Sequence, residues 1–91
     1  MTLQFPNPSR SFDEVRNAVR FVGHDGMFQI LFFIEADALM KSDIAKREPG
    51  ALDARSLTAF DILRTSIYDV ARKAYSNGRR DSYTLTAADF R

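Results

Sequence analysis

The apolar run from Met27 to Ile34 limits the folds open to this chain more than any other feature. Only Gln29 interrupts it, and it is far too short to cross a bilayer, which takes about 20 residues. A strand that is apolar on both faces is usually central in a sheet and covered on both sides. We therefore predict an interior strand. One face carries Phe28, Ile30, Phe32 and Ile34, and the other carries Leu31 and Phe33.

A β-hairpin is predicted around the start of this strand. Residues 18–23 alternate between apolar and polar side chains, and Asp25-Gly26 then favours a tight turn with positive φ. Residues 2–5 also alternate before Pro6, which is typical of a short edge strand. We interpret Ser9–Asp13 as a loop.

A long helix is predicted over about residues 54–76. Asp53 is its expected N-cap, and Asn77-Gly78 supplies a left-handed C-cap. Apolar residues recur at three- and four-residue steps and form one stripe. The stripe consists of Leu57, Phe60, Leu63, Ile67, Val70, Ala71 and Ala74.

Two further segments complete the predicted fold. Glu35–Lys41 has the composition of a short helix. Residues 42–47 either extend this helix or form another short turn after it. Ser82–Thr86 is a final strand, and Thr86 to Asp89 resembles a capped helical turn. The element order is β-β-β-α-α-β, in one domain over residues 1–91. This predicts an α+β fold in which a small antiparallel sheet of three to four strands packs on one face against a long and a short helix.

Composition excludes several classes of function. The chain has no cysteine, so disulfides, thiolate metal sites and cysteine nucleophiles are excluded. A cysteine-free small domain favours the reducing cytoplasm, and Met1–Pro8 lacks the basic start and apolar run of a signal peptide. The net charge of +1 gives no overall attraction to nucleic acid or membrane.

Candidate catalytic groups are few. His24 is the single histidine, and it is adjacent to the predicted turn. Glu35 and Asp37 offer two carboxylates for a cation, but acids in the first turn of a helix also complement its dipole. Neither a nucleophile elbow nor a glycine-rich phosphate loop is present. We expect no catalytic site, metal or cofactor, and keep a small enzyme using His24 as an alternative.

A basic cluster gives the strongest electrostatic signal. It comprises Arg72, Lys73, Arg79 and Arg80, with Tyr83 close by in the sequence. Tyrosines can stack on bases, so weak binding of nucleic acid or another anion is one reading. The other interpretation is that these cations complement the dipole at the carboxyl end of the long helix.

Aromatic residues are numerous for one small core, with eight Phe and three Tyr. The strand face with Leu31 and Phe33 needs a cover, because one long helix covers only one face of a sheet. The N-terminal segment, through Leu3 and Phe5, is one candidate cover, and a second subunit or protein partner is the other. Ile62, on the polar side of the helix, adds to this predicted interface. We expect no membrane association.

Several short motifs resemble a known family. They run from Phe5-Pro-Asn-Pro-Ser-Arg-Ser-Phe-Asp13 through Gly23-His-Asp-Gly26 and Phe32-Phe-Ile-Glu-Ala-Asp-Ala-Leu39 to Ser82-Tyr-Thr-Leu-Thr-Ala-Ala-Asp-Phe90. Together they are similar to the small bacterial proteins of domain of unknown function family 1488, over nearly the whole chain. The resemblance implies a compact bacterial α+β protein and no particular activity. The residues and the resemblance together predict a non-catalytic module that acts through protein contact, as a homodimer or with another protein.

Overall fold

The computed structural model describes residues 3–41, 50–78, 80 and 82–90, and these residues confirm the α+β fold and the order β-β-β-α-α-β. Predicted structure over residues 42–49 lies outside the described residues. The elements are β1 (Arg10–Asp13), β2 (Ala18–Asp25), β3 (Phe28–Glu35), α1 (Ala36–Met40), α2 (Leu52–Asn77), β4 (Ser82–Leu85) and a 3₁₀ helix (Ala87–Phe90).

The predicted hairpin is confirmed. Strands β2 and β3 pair antiparallel from Ala18 opposite Glu35 to Asp25 opposite Phe28. Gly26 in the turn has φ 62°, a left-handed conformation that glycine adopts without steric cost. The described strands lie in the order β1-β2-β3-β4, so β3 is an interior strand as predicted.

The first strand differs from the prediction. The predicted strand at residues 2–5 is reduced to a single bridge between Gln4 and His24, whereas β1 forms within the predicted loop Ser9–Asp13. Both pieces lie along the same edge of β2, since β1 pairs with residues 18–21. The intervening residues 5–9 leave the ladder, because Pro6 and Pro8 cannot donate to it. A proline-containing interruption of this kind also protects a sheet edge from pairing with other chains.

The last strand corrects the prediction of an all-antiparallel sheet. Strand β4 pairs parallel to β3, with Phe32 opposite Tyr83 and Ile34 opposite Leu85. The cause is α2, which returns the chain to the end of the sheet where β3 begins. A long crossover of this kind is what joins parallel neighbours. At about 1.5 Å per residue the 26 residues of α2 span about 39 Å, the longest dimension of the molecule.

The ends of α2 differ from the predicted caps. Ala51, not Asp53, occupies the N-cap position, and Asp53 lies inside the first turn, where its carboxylate accepts a hydrogen bond from the Ala54 N–H at 2.8 Å. At the other end Gly78 has φ 178°, which is extended backbone and not the predicted left-handed conformation. The apolar stripe itself is confirmed, because Phe60, Ile67 and Ala71 are buried and its remaining members pack against the core.

The face of the sheet that packs against α2, called the inner face below, carries a row of aromatic rings. Phe21, Phe32 and Tyr83 are register partners on β2, β3 and β4, and neighbouring ring centres lie 5.3 and 5.2 Å apart. Phe60 of α2 packs on Phe21 at 5.0 Å. The N-terminal segment closes one side of this core above Gly23, where an added Cβ would lie 2.9 Å from the Leu3 side chain. That close approach explains why a glycine stands in the middle of β2.

Candidate functional site

The tip of the β2–β3 hairpin exposes two large apolar side chains. Met27 is 99% exposed and Phe28 is 75% exposed, although the sequence pattern predicts Phe28 in the core face with Ile30. The predicted burial is wrong for Phe28, whose register partner Asp25, at the same end of the ladder, is buried instead and binds Tyr75 of α2. Apolar groups of this size are usually buried, so their high exposure points to a role outside the core.

Hydrogen bonds fix the base of this tip. The Tyr75 hydroxyl, near the end of α2, donates to the buried carboxylate of Asp25 at 2.6 Å. On the other side, the backbones of Gln4 and His24 exchange two hydrogen bonds of 2.8 and 2.7 Å. The hairpin is therefore anchored to both the helix and the N-terminal segment. A contact surface that is held in one conformation loses less entropy on binding.

Arg72, Lys73 and Arg80 of the basic cluster lie at the same end of the molecule, since Tyr75 joins the end of α2 to the hairpin. Arg72 is engaged within the fold: its guanidinium donates to the Leu3 carbonyl and to Asp69, both at 3.3 Å. Lys73 and Arg80 are exposed, and no acidic side chain of the described residues pairs with either. Arg79 lies outside the described residues. The structure thus exposes two cations, Lys73 close to the end of α2 and Arg80 just after it, at the end of α2 that Tyr75 joins to the hairpin.

Tyr83 has a different environment from the one expected of a stacking residue. Its ring is 8% exposed and lies against Phe32 and Tyr75. Its hydroxyl donates to the Gly78 carbonyl and accepts a hydrogen bond of 2.8 Å from the Arg80 N–H. The side chain thereby fastens the connection between α2 and β4, and its ring faces the core instead of solvent.

The predicted interface residues occupy opposite sides of the molecule. Leu31 and Phe33 lie on the sheet face away from α2, called the outer face below, and Ile62 projects from α2 with 54% exposure. Phe33 is only 6% exposed, and the Arg16 guanidinium lies 4.4 Å above its ring centre. Leu31 is half-buried. The three residues therefore do not form one continuous patch.

The N-terminal segment does not cover the outer face. Phe5 stacks on Tyr68 of α2 at 3.9 Å between ring centres and lies 5.9 Å from Phe32. Leu3 is buried in the same inner core. The prediction that Leu3 and Phe5 cover the face with Leu31 and Phe33 is therefore wrong, because both residues pack on the inner side of the sheet.

A polar contact that the sequence pattern did not reveal joins β1 to α2. Asp61 accepts hydrogen bonds from Arg10 at 2.9 and 2.7 Å and from Arg64 at 2.9 Å. The hydrogen bond from Arg10, reinforced by Arg64 and opposed by partial burial, lowers the pKa of Asp61. Arg64 also donates hydrogen bonds to the Tyr68 hydroxyl at 2.6 Å and to the Pro8 carbonyl at 3.0 Å. Arg10 and Asp61 are 51 residues apart, so local spacing carries no signal of their contact.

The candidate catalytic and metal-binding residues stay separate. His24 contributes its backbone to the bridge with Gln4, and its side chain is half-buried. Within the described part of the chain, no group of three or more His, Asp or Glu residues is arranged to hold a metal ion. Glu35 and Asp37 flank the start of α1, where Asp37 lies in the first turn. Neither acid has a described partner that would define a reactive site.

The fold and the surface together define a small α+β domain with an anchored, apolar hairpin tip. The chain belongs to the family described as protein of unknown function (DUF1488), whose model matches residues 3–86. Neither the curated proteins nor the solved structures include a significant match. Each helix in the described ranges is too short or too polar to serve as a transmembrane span.

Proposed function

We propose that this domain is a non-catalytic protein-interaction module that contacts its partner with the hairpin tip. The observation that carries the proposal is the exposure of two adjacent large apolar side chains, Met27 at 99% and Phe28 at 75%. Contact surfaces are enriched in aromatic residues and Met, and a few such residues usually supply most of the binding energy. The bond between Tyr75 and Asp25 supports the proposal further, because it presents the tip in a fixed position.

The charges around the tip favour a partner different from the domain itself. In a dimer that joined two tips, Lys73 and Arg80 of one copy would approach the same cations of the other. Like charges that face each other oppose association. A protein surface with an apolar pocket and an acidic rim would complement both features. The proposed partner is therefore a second protein with such a surface. Activity in the cytoplasm is part of the proposal, on the cysteine-free composition.

Site-specific photo-crosslinking tests this proposal. A photoreactive residue at position 28 should capture a protein, and the purified captured protein should bind the unlabelled domain. Met27→Ser with Phe28→Ser should weaken that binding at least about tenfold, as expected for loss of the main contact residues. Lys73→Glu with Arg80→Glu should slow association, and the effect should shrink at high salt.

Val15 provides the matched control, because it is 97% exposed in the β1–β2 turn at the other end of the sheet. Val15→Ser should leave the affinity unchanged, and a photoreactive residue at position 15 should not capture the same protein. Equal capture from positions 15 and 28, or binding that survives the double serine variant, would contradict the proposal.

A homodimer through the outer face is the second candidate. The specific observation in its favour is Leu31, which lies on the interior strand β3, is only half-buried, and has no helix over it among the described elements. Sedimentation at micromolar concentration tests it: a dimer that becomes monomeric on Leu31→Asp supports it, whereas a wild-type monomer removes it. Thr65→Asp, at an exposed position of α2 on the other side of the sheet, is the control that should not change the oligomeric state.

Weak nucleic-acid binding is less well supported. Single-stranded nucleic acids are usually held by several aromatic platforms along a cationic groove. At this end of the molecule Phe28 is an exposed ring, whereas Tyr83 is enclosed and Arg72 is engaged within the fold. Retention on DNA or RNA that falls with salt and with Arg79→Ala and Arg80→Ala would restore this reading.

A further inference from the structure

An apolar groove lies at the end of the molecule opposite the hairpin tip. It forms where the end of β3, α1, the middle of α2 and the C-terminal 3₁₀ helix meet, and its volume is about 320 Å³. Its walls include Ile34, Leu39, Leu63, Ile67 and Phe90. This volume is at the lower end of the range of about 300–1,000 Å³ that is usual for ligand pockets. The size favours a ligand with a medium-length chain or a single ring.

The described lining of the groove carries a positive charge beside its apolar side chains. Lys41 is the one charged residue among the described residues that line it, and none of those residues carries a carboxylate. Asp37 precedes Lys41 by one helical turn, but the two side chains form no ion pair. Among the described residues, the ammonium group therefore has no carboxylate partner and lies at an otherwise apolar wall. An anionic group carried on an apolar body complements this combination.

We propose that this groove binds a small carboxylate with an apolar body, such as a medium-chain fatty acid anion. The apolar chain lies between α1, α2 and the 3₁₀ helix, and the carboxylate faces Lys41. The site is independent of the proposed contact through the hairpin tip, so the two can be tested separately.

A homologous series of carboxylates tests the proposal with the full chain. Butyrate, hexanoate and octanoate are titrated below their micelle concentrations and followed by amide NMR shifts and calorimetry. Octanoate should bind one to one and shift amides of α1, the middle of α2 and the 3₁₀ helix. Affinity should rise about three- to fourfold per methylene until the groove is filled, the increment expected for each buried methylene.

Two kinds of variant separate the apolar and charged contributions. Ala38→Phe and Ala87→Phe, both at lining positions, should fill the groove and weaken octanoate at least about tenfold. Two positions are used so that a folding defect in one variant, visible in its melting temperature, leaves the other informative. Lys41→Gln should weaken octanoate about two- to fivefold, as expected for an exposed ion pair, and leave octanol unchanged.

Lys73→Gln is the control for the loss of one positive charge, because Lys73 is exposed at the opposite end and does not line the groove. It should not alter octanoate binding. The proposal is overturned if octanoate shifts no amides around the groove, or if folded Ala38→Phe or Ala87→Phe binds it as tightly as the parent. Binding of several octanoates per chain, unaffected by Lys41→Gln, would likewise identify a non-specific surfactant effect.

Discussion

The two faces of the sheet exclude water by different means. On the inner face, α2 and the N-terminal segment cover a row of rings, and Phe21 and Phe32 are at most 1% exposed. On the outer face, Phe33 lies under a single guanidinium and Leu31 is half-buried, with no described helix above them. The comparison shows that similarly apolar strand faces can be covered by a whole backbone element or by one long side chain. The cover of the inner face depends on how well α2 and the N-terminal segment fill the space above the rings. The cover of Phe33 on the outer face depends on its contact with Arg16.

The largest effect should come from the inner face. Phe32→Ala removes a fully buried ring from the middle of the aromatic row, so we expect it to lower the free energy of unfolding by about 3–5 kcal/mol. That is a large part of the stability of a small domain. Urea denaturation followed by circular dichroism measures the change.

Phe28→Ala is the matched comparison, because it makes the same change on the same strand at a side chain that is 75% exposed. We expect its effect on the free energy of unfolding to stay within about 0.5 kcal/mol, which is usual for surface positions. If the two variants were equally destabilised, the hairpin tip would be part of the core, and the proposed contact surface would lose its basis.

A smaller effect is expected for the polar contact that joins α2 to β1. Asp61→Asn removes the carboxylate that receives Arg10 and Arg64, and should cost about 1 kcal/mol, since the groups are partly exposed. The pKa of Asp61 is lower in the folded state, so its contribution is present above the ordinary Asp pKa of about 4 and is lost as pH falls through the folded value. The difference between wild type and Asp61→Asn in thermal denaturation should therefore vanish on acidification.

Asp69→Asn is the control for this pH series. Asp69 makes one contact of 3.3 Å with Arg72, and its side chain is 70% exposed. Its substitution should cost only a few tenths of a kcal/mol at neutral pH, as is usual for exposed pairs. A difference at Asp61 that is no larger than at Asp69, or that persists in acid, would show that the contact between β1 and α2 is not held by this carboxylate.

The fold was largely predictable because its main signals are local or periodic. The Asp25-Gly26 turn, the apolar stripe of α2 and the strand containing Tyr83 and Leu85 each follow from spacing within one segment. The parallel direction of β4 depends on how α2 crosses the sheet, which no single segment specifies. The position of β1 depends similarly on its pairing with β2, since Arg10 and Phe12 alone give a weak strand pattern.

The candidate sites were less predictable for the same reason. The pattern of β3 assigns Phe28 to the core, and only the position of the end of α2 relative to the hairpin determines that this ring is exposed. The groove beside Lys41 is assembled from four elements that are distant in sequence. By contrast, the basic cluster was visible because its members are neighbours in the chain. The alternation of β4 also predicts that Tyr83 faces inward, but the sequence did not reveal the hydrogen bonds that engage Arg72 and the Tyr83 hydroxyl within the fold.

The smallest expected effect tests the cover of the outer face directly. The Arg16 guanidinium lies 4.4 Å from the Phe33 ring centre, a distance at which a cation and a ring attract by about 0.5–1 kcal/mol at exposed sites. A double-mutant cycle with Arg16→Ala and Phe33→Leu should give a coupling energy of that size in urea denaturation. The same cycle with Arg20→Ala is the control, because Arg20 is the register partner of Phe33 but makes no cation–π contact with its ring. Equal coupling for the two arginines would mean that Phe33 does not depend on Arg16 for its cover, and that the contrast between the faces has another cause.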